Sequence, residues 1–123
     1  MRRVHAVLAL LAAAAFAGAD PVRALTAEGR EFVEILKKLE TVHCEKRRLR
    51  REIALAEVEG RPAEAKALRE KFDALDRNPR TARLQRRLAE LEKRLSDGRG
   101  GVRDREDLDA ISLQHRLAFY RCE

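Results

Sequence analysis

Apolar residues recur along this chain with a helical period from residue 26 almost to its end. Phe32, Leu39, Lys46 and Ile53 fall on one position of a seven-residue repeat, and Ile35, Val42, Leu49 and Ala56 fall three residues later. Such a repeat makes an a/d seam, the signature of helices packed side by side. Only Lys46 interrupts it with a charge, and Leu36 widens it. The pattern predicts a first helix over about residues 26–59, with Thr26 as its N-cap. Gly60-Arg61-Pro62 then ends one helix and opens the next, since Gly suits the position just past a helix and Pro suits a first turn.

The second helix, about 62–77, carries Ala65, Leu68, Phe72 and Leu75 on one stripe. Asn78-Pro79 breaks it, because a proline disfavours helix in the residue before it. A third helix over about 79–97 is striped by Leu84, Leu88, Leu91 and Leu95. Gly98, Gly100 and Gly101 make a flexible connector. Asp104 can cap a last helix, about 105–122, carrying Leu108, Ile111, Leu113, Leu117, Phe119 and Tyr120.

These lengths assemble into an all-α fold, a long antiparallel, coiled-coil-like helical hairpin with a C-terminal helix packed at its base. A hairpin about Gly60–Pro62 pairs positions whose numbers sum to about 121. Leu49 then faces Phe72, Ile53 faces Leu68, and Ala56 faces Ala65 near the turn. Cys44 and Cys122 reach the same height if the last helix runs parallel to the first. Residues 20–123 are accordingly expected to form a single helical domain. Its three-helix base holds 26–44, 79–97 and 105–122, and a two-helix arm over 45–77 projects past it. The strict seam turns Cys44 away from the second helix, so the last helix must lie on the flank of the hairpin. The competing arrangement is a plain four-helix bundle with the second helix folded back at Pro79.

The first 19 residues read as a signal peptide. Arg2 and Arg3 precede an apolar run from Val4 to Gly18, and Ala17-Gly18-Ala19 places cleavage before Asp20. As a helix that run spans only ~22 Å, short of the ~30 Å hydrocarbon core of a bilayer. No transmembrane segment is expected after cleavage. The protein is therefore expected to be exported, with the bacterial periplasm as its compartment. The only two cysteines, Cys44 and Cys122, then imply one disulfide. A closed loop of 78 residues stabilises a fold by roughly 4–5 kcal/mol in the chain-entropy model.

The 123-residue chain has 27 Lys and Arg against 21 Asp and Glu; without Arg2 and Arg3 the balance is 25 to 21. Acids and bases interleave, as in the i,i+4 pairs Arg48–Glu52, Lys66–Glu70, Arg69–Asp73, Arg86–Glu90 and Glu90–Arg94, each worth a few tenths of a kcal/mol. Lys46, Arg47, Arg48, Arg50 and Arg51 stand out as five bases in six residues. Hairpin register puts Arg80 level with Cys44 and Arg83 just beyond, completing a basic belt where arm meets base. Such a belt fits an acidic protein or an anionic envelope component. No aromatic residues interleave with it in sequence, and export directs the chain away from nucleic acid, so that partner is not expected.

No enzyme chemistry is legible. His43 and Cys44 project ~100° apart on a helix, and His115 and Cys122 lie two turns apart, too far to share a metal. There is no phosphate-cradling glycine loop. No catalytic residue, metal or cofactor is expected. The belt and arm point to an adaptor- or chaperone-like binding protein; an exported inhibitor of an enzyme or toxin is the alternative. Homo-oligomerisation stays open, with Lys46 in the seam as its candidate determinant.

Cys44-Glu45-Lys46, Glu52-Ile53, Ala56-Glu57 and, past the turn, Ala65, Leu68, Phe72 and Leu75 resemble the YqjC-like family of small exported helical proteins, over about residues 44–95. The resemblance implies a signal peptide, a cysteine, a short helix pair and a long charged helix, and no activity. In that family the second cysteine follows the second helix, whereas here it lies at the C-terminus. Intact mass of the exported protein is expected to start at Asp20 and to gain nothing on thiol alkylation without reductant. A retained leader with two alkylatable thiols would overturn both the export and the disulfide readings.

Overall fold

The computed structural model describes residues 25–122. Four helices follow one another: α1 Ala27–Val58, α2 Pro62–Arg77, α3 Pro79–Leu95 and α4 Arg105–Arg121. Each boundary has a local chemical cause. Thr26 Oγ1 accepts from Gly29 N at 3.0 Å and caps α1. At the other end Gly60 adopts φ +68°. Gly60 N donates to Glu57 O at 3.2 Å and Arg61 N to Ala56 O at 2.8 Å, the paired bonds of a Schellman turn. Pro62 opens α2. Asn78 Oδ1 accepts from Arg80 N and Thr81 N at 3.0 and 3.2 Å, so the Asn78-Pro79 break is also the cap of α3.

The apolar interior divides into two clusters along α1. Near its start, Phe32, Ile35, Leu36 and Leu39 pack with Leu91 and Leu95 of α3 and Ile111 of α4. Further along, Leu49 and Ala56 pack with Ala65 and Leu68 of α2, flanked by Ile53, Phe72 and Leu75. The long hairpin is therefore three helices thick at one end and two at the other. Between the clusters the seam positions are Val42 and Lys46.

α4 runs parallel to α1. Three ties between them share nearly one sequence offset: Thr26 with Asp107 and Glu40 with Arg121 at 81 residues, and Cys44 with Cys122 at 78. The disulfide spans 5.2 Å between Cα atoms. At the other end Asp107 is 0% exposed. One of its carboxylate oxygens accepts from Thr26 N at 3.0 Å and the other from Thr26 Oγ1 at 2.5 Å. A buried carboxylate thus meets the positive end of α1, where orphan amides and the helix dipole favour it. Gly29 permits this approach, since a Cβ there would collide with the Asp107 carboxylate.

These two ties set the rotation of α4. Asp107, Ile111 and Gln114 are buried and Ala118 and Cys122 half-buried, one face at spacings of 4, 3, 4 and 4. The apolar residues expected to line this helix behave differently. Leu108, Leu113, Leu117, Phe119 and Tyr120 are all exposed, Tyr120 at 70%. The covalent bond and the buried carboxylate hold a face that hydropathy alone would have turned outward.

Gly29→Ala is expected to lower stability by about 1–3 kcal/mol through overpacking. Asp107→Ala should cost a similar amount through lost charge-assisted bonds. The double substitution should cost less than the sum, because removing the carboxylate removes the collision. Urea unfolding of the four proteins checks this; additive losses would contradict the contact.

Candidate functional site

The belt lies where α4 ends and the hairpin continues alone. Its residues do not behave alike. Lys46 occupies the α1–α2 seam with its side chain only 12% exposed, and its ammonium lies 2.5 Å from Asp76 Oδ1. Its Nζ sits 5.0 Å from the centre of the Phe72 ring. Gln85 of α3 donates to the same Asp76 oxygen at 2.9 Å. These two bonds, Lys46 first, hold the Asp76 carboxyl below its ordinary range. A charge in an apolar seam is tolerated here because the stem packs on an aromatic face and the tip is paired.

Arg47 turns the other way. Its guanidinium lies 4.6 Å from the centre of the Phe119 ring on α4 and donates to Phe119 O at 3.4 Å. Arg48 is held by two acids of its own helix, Glu45 and Glu52. The hydrogen bond from Arg48 is the main cause of the lowered pKa of Glu45. Arg50 lies over Phe72 on the same side as Lys46, 5.2 Å from the ring centre. Arg51, Arg80 and Arg83 are exposed and meet no carboxylate within ion-pair distance among the described residues. Arg80 and Arg83 occupy the first two turns of α3, where the first turn has no acid to offset them.

The structure thus brings Lys46, Arg47 and Arg50 onto aromatic rings, neutralises Lys46 and Arg48 with acids, and leaves Arg51, Arg80 and Arg83 unpaired by acids. Sequence reasoning missed the aromatic platforms because Phe72 and Phe119 come from other helices. It also missed Asp76, although 46 and 76 sum to 122, one step from the hairpin register. That arithmetic was a usable signal.

The disulfide sits beside a groove of about 390 Å³ lined by Val42, Leu75, Glu45, Arg48 and both cysteines. His43 is half-buried on the adjacent face of α1. Burial chiefly lowers its pKa below the ordinary 6.5; the charges of Lys46, His115, Arg50 and Arg47 push the same way. Among the described residues, no three His, Cys, Asp or Glu side chains converge as metal ligands would. No helix there is long and apolar enough to cross a membrane. The arrangement is a set of cations, some paired with acids, some over aromatic rings and some with neither among the described residues. Comparison with family models, curated proteins and solved structures finds no match to this chain.

The depressed pKa of His43 has a defined linkage. Below 6.5 the unfolded chain takes up a proton that the folded chain refuses, until pH falls to the folded value. Stability from this group is complete above pH 6.5 and declines below it. The lowered carboxyls, Glu31, Glu45, Asp76 and Asp97, act only at lower pH, near and below their ordinary 3.8–4.5. The melting temperature is therefore expected to fall from pH 7 to 5, and His43→Gln to flatten that slope. An unchanged slope in the variant would exclude His43 as its source.

Proposed function

We propose that this is an exported helical binding protein that docks an acidic partner of the cell envelope through its basic belt and projecting arm, in the manner of an adaptor or chaperone. The observation that carries the reading is the division of the belt. Arg48 and Lys46 are neutralised within the fold, whereas Arg51, Arg80 and Arg83 are exposed without an acid beside them. Exposed cations without a paired acid raise the local potential and steer an anionic partner.

Further support comes from shape. The arm beyond Cys44 carries 14 residues of α1, about 21 Å of helix, backed by α2 alone. A thin two-helix projection offers contact surface on both sides. The apolar run before Asp20 and the disulfide agree with an oxidising compartment.

The test is the triple substitution Arg51→Ala, Arg80→Ala and Arg83→Ala, with photo-crosslinking of the exported protein in intact cells as readout. Crosslinked partner is expected to fall several-fold while helicity by circular dichroism stays unchanged, and wild-type capture from envelope extracts to weaken as salt rises. Undiminished crosslinking by the variant would remove the belt from the function.

A further inference from the structure

α4 covers one stripe of α1 and stops partway along it. Gly29, Glu40, Cys44 and Arg47 of α1 all meet α4, through Asp107, Arg121, Cys122 and Phe119 respectively. Spacings of 11, 4 and 3 place these four residues on a single helical face. α4 ends at Arg121, but α1 runs on to Val58. Extended by the same 3–4 alternation, the stripe continues as Arg51, Ala54, Leu55 and Val58. Every one of these is exposed, Leu55 at 53% and Val58 at 86%.

The composition of this continuation is one-sided. It holds two arginines, Arg47 and Arg51, and three apolar residues, and no acid. The acids of the arm's α1 and of its C-cap, Glu59, lie off the stripe and are already engaged. Glu45 and Glu52 hold Arg48, Glu57 holds Arg69 of α2, and Glu59 holds Arg61. On the opposite side of α1, Leu49 and Ala56 are buried against α2, so the exposed stripe is not a face that the hairpin itself uses.

The geometry points to a helix-binding track: a partner's acidic amphipathic helix of about three turns lies on Arg51, Ala54, Leu55 and Val58, in line with α4, with Arg47 where the two helices meet. This rests on the reading of the arm as a docking element and names the chemistry of what docks. Three features choose that occupant. The track continues an existing helix–helix interface, so its shape is already that of a helix seat. Its uncovered length, residues 48–58 beyond the Arg47 contact with α4, spans about 16 Å of helix. Its two cations without an opposing acid fit carboxylates flanking an apolar seam. A flat lipid surface fits poorly, because α4 stands a helix diameter above the track and would meet the membrane first.

The probe is a synthetic, hydrocarbon-stapled 16-residue helix with Leu and Ala on one face and Glu on both flanks. Controls are a scrambled peptide of equal charge and phosphatidylglycerol vesicles, all titrated against the full mature chain by fluorescence anisotropy. The peptide is expected to bind, with amide shift changes in NMR concentrated at Arg47 to Val58 of α1. Leu55→Asp with Val58→Asp should weaken it by about tenfold or more, while Arg80→Ala with Arg83→Ala leaves it nearly unchanged. These residues are exposed, so the fold survives their change, and circular dichroism verifies it.

Equal binding of the scrambled peptide, or shift changes elsewhere, overturns the track. Binding lost with Arg80 and Arg83 but kept with Leu55 and Val58 changed also overturns it while leaving the belt reading intact. Vesicle binding that Leu55→Asp and Val58→Asp abolish, without peptide binding, assigns the face to lipid and overturns the helix partner. Absence of any peptide binding overturns the track alone, since cellular crosslinking through Arg51, Arg80 and Arg83 is measured separately.

Discussion

The placement of α4 depends on two ties to α1, one covalent and one electrostatic, and most of the surface follows from them. Asp107 binds Thr26 at the start of α1, and Cys122 binds Cys44 farther along it. One tie would leave α4 free to pivot or roll; two ties well apart fix both its direction and its rotation. The buried carboxylate is an expensive group to desolvate. It is accommodated because it serves three purposes at once. It ends the isolation of Thr26 N, completes a relay from Gly29 N through the Thr26 hydroxyl, and takes up the positive end of α1. Gly29 is the residue that lets it in.

The arm obeys a different logic. It has no third helix, so its stability rests on a narrow seam of Leu49, Ala56, Ala65 and Leu68. The small pair, Ala56 and Ala65, sits by the turn, and the larger Leu49, Leu68, Phe72 and Leu75 pack farther from it. Lys46 closes this seam at the base end. A leucine there would add apolar burial but lose the bond to Asp76, through which Gln85 joins α3 to the hairpin. The charge thus joins three helices at the place where the core is interrupted, much as a polar seam residue fixes register at some cost in stability.

How much of this was readable from the chain divides along the same line. The hairpin, its turn, the Asn78 cap and the parallel course of α4 all follow from local signals: heptad spacing, Gly-x-Pro, Asn-Pro and the heights of the two cysteines. The rotation of α4 does not. Its hydropathy marks Leu113, Leu117 and Tyr120 as interior, yet they are exposed, because its orientation is decided by Asp107 and Cys122, one polar and one terminal. A hydrophobic-periodicity argument cannot weigh a buried acid that becomes favourable only beside another helix's N-terminus. The cation–aromatic contacts at Phe72 and Phe119 escaped for a related reason. Rings supplied from other helices leave no trace in the spacing of the basic run itself.

That distinction sharpens what the basic run can do. In sequence it is five equivalent cations; in the fold it is a graded set. Those with an acid beside them are already satisfied, and drawing them to an outside anion would first break a bond worth keeping. Arg47 and Arg50, over aromatic rings with no acid paired to them, are oriented but not neutralised, and keep most of their field. Those without an acid carry the whole of it. Binding energy must come from the last two groups, of which Arg47 and Arg51 lie on the stripe of α1 where the cover of α4 ends. The same two ties that bury Asp107 and bridge the cysteines therefore also determine where that cover ends. Lengthening α4 by a few turns would cover Arg51 and Leu55 and leave the arm no apolar surface on that side. The length of the last helix, more than the count of arginines, defines the exposed surface available to a partner.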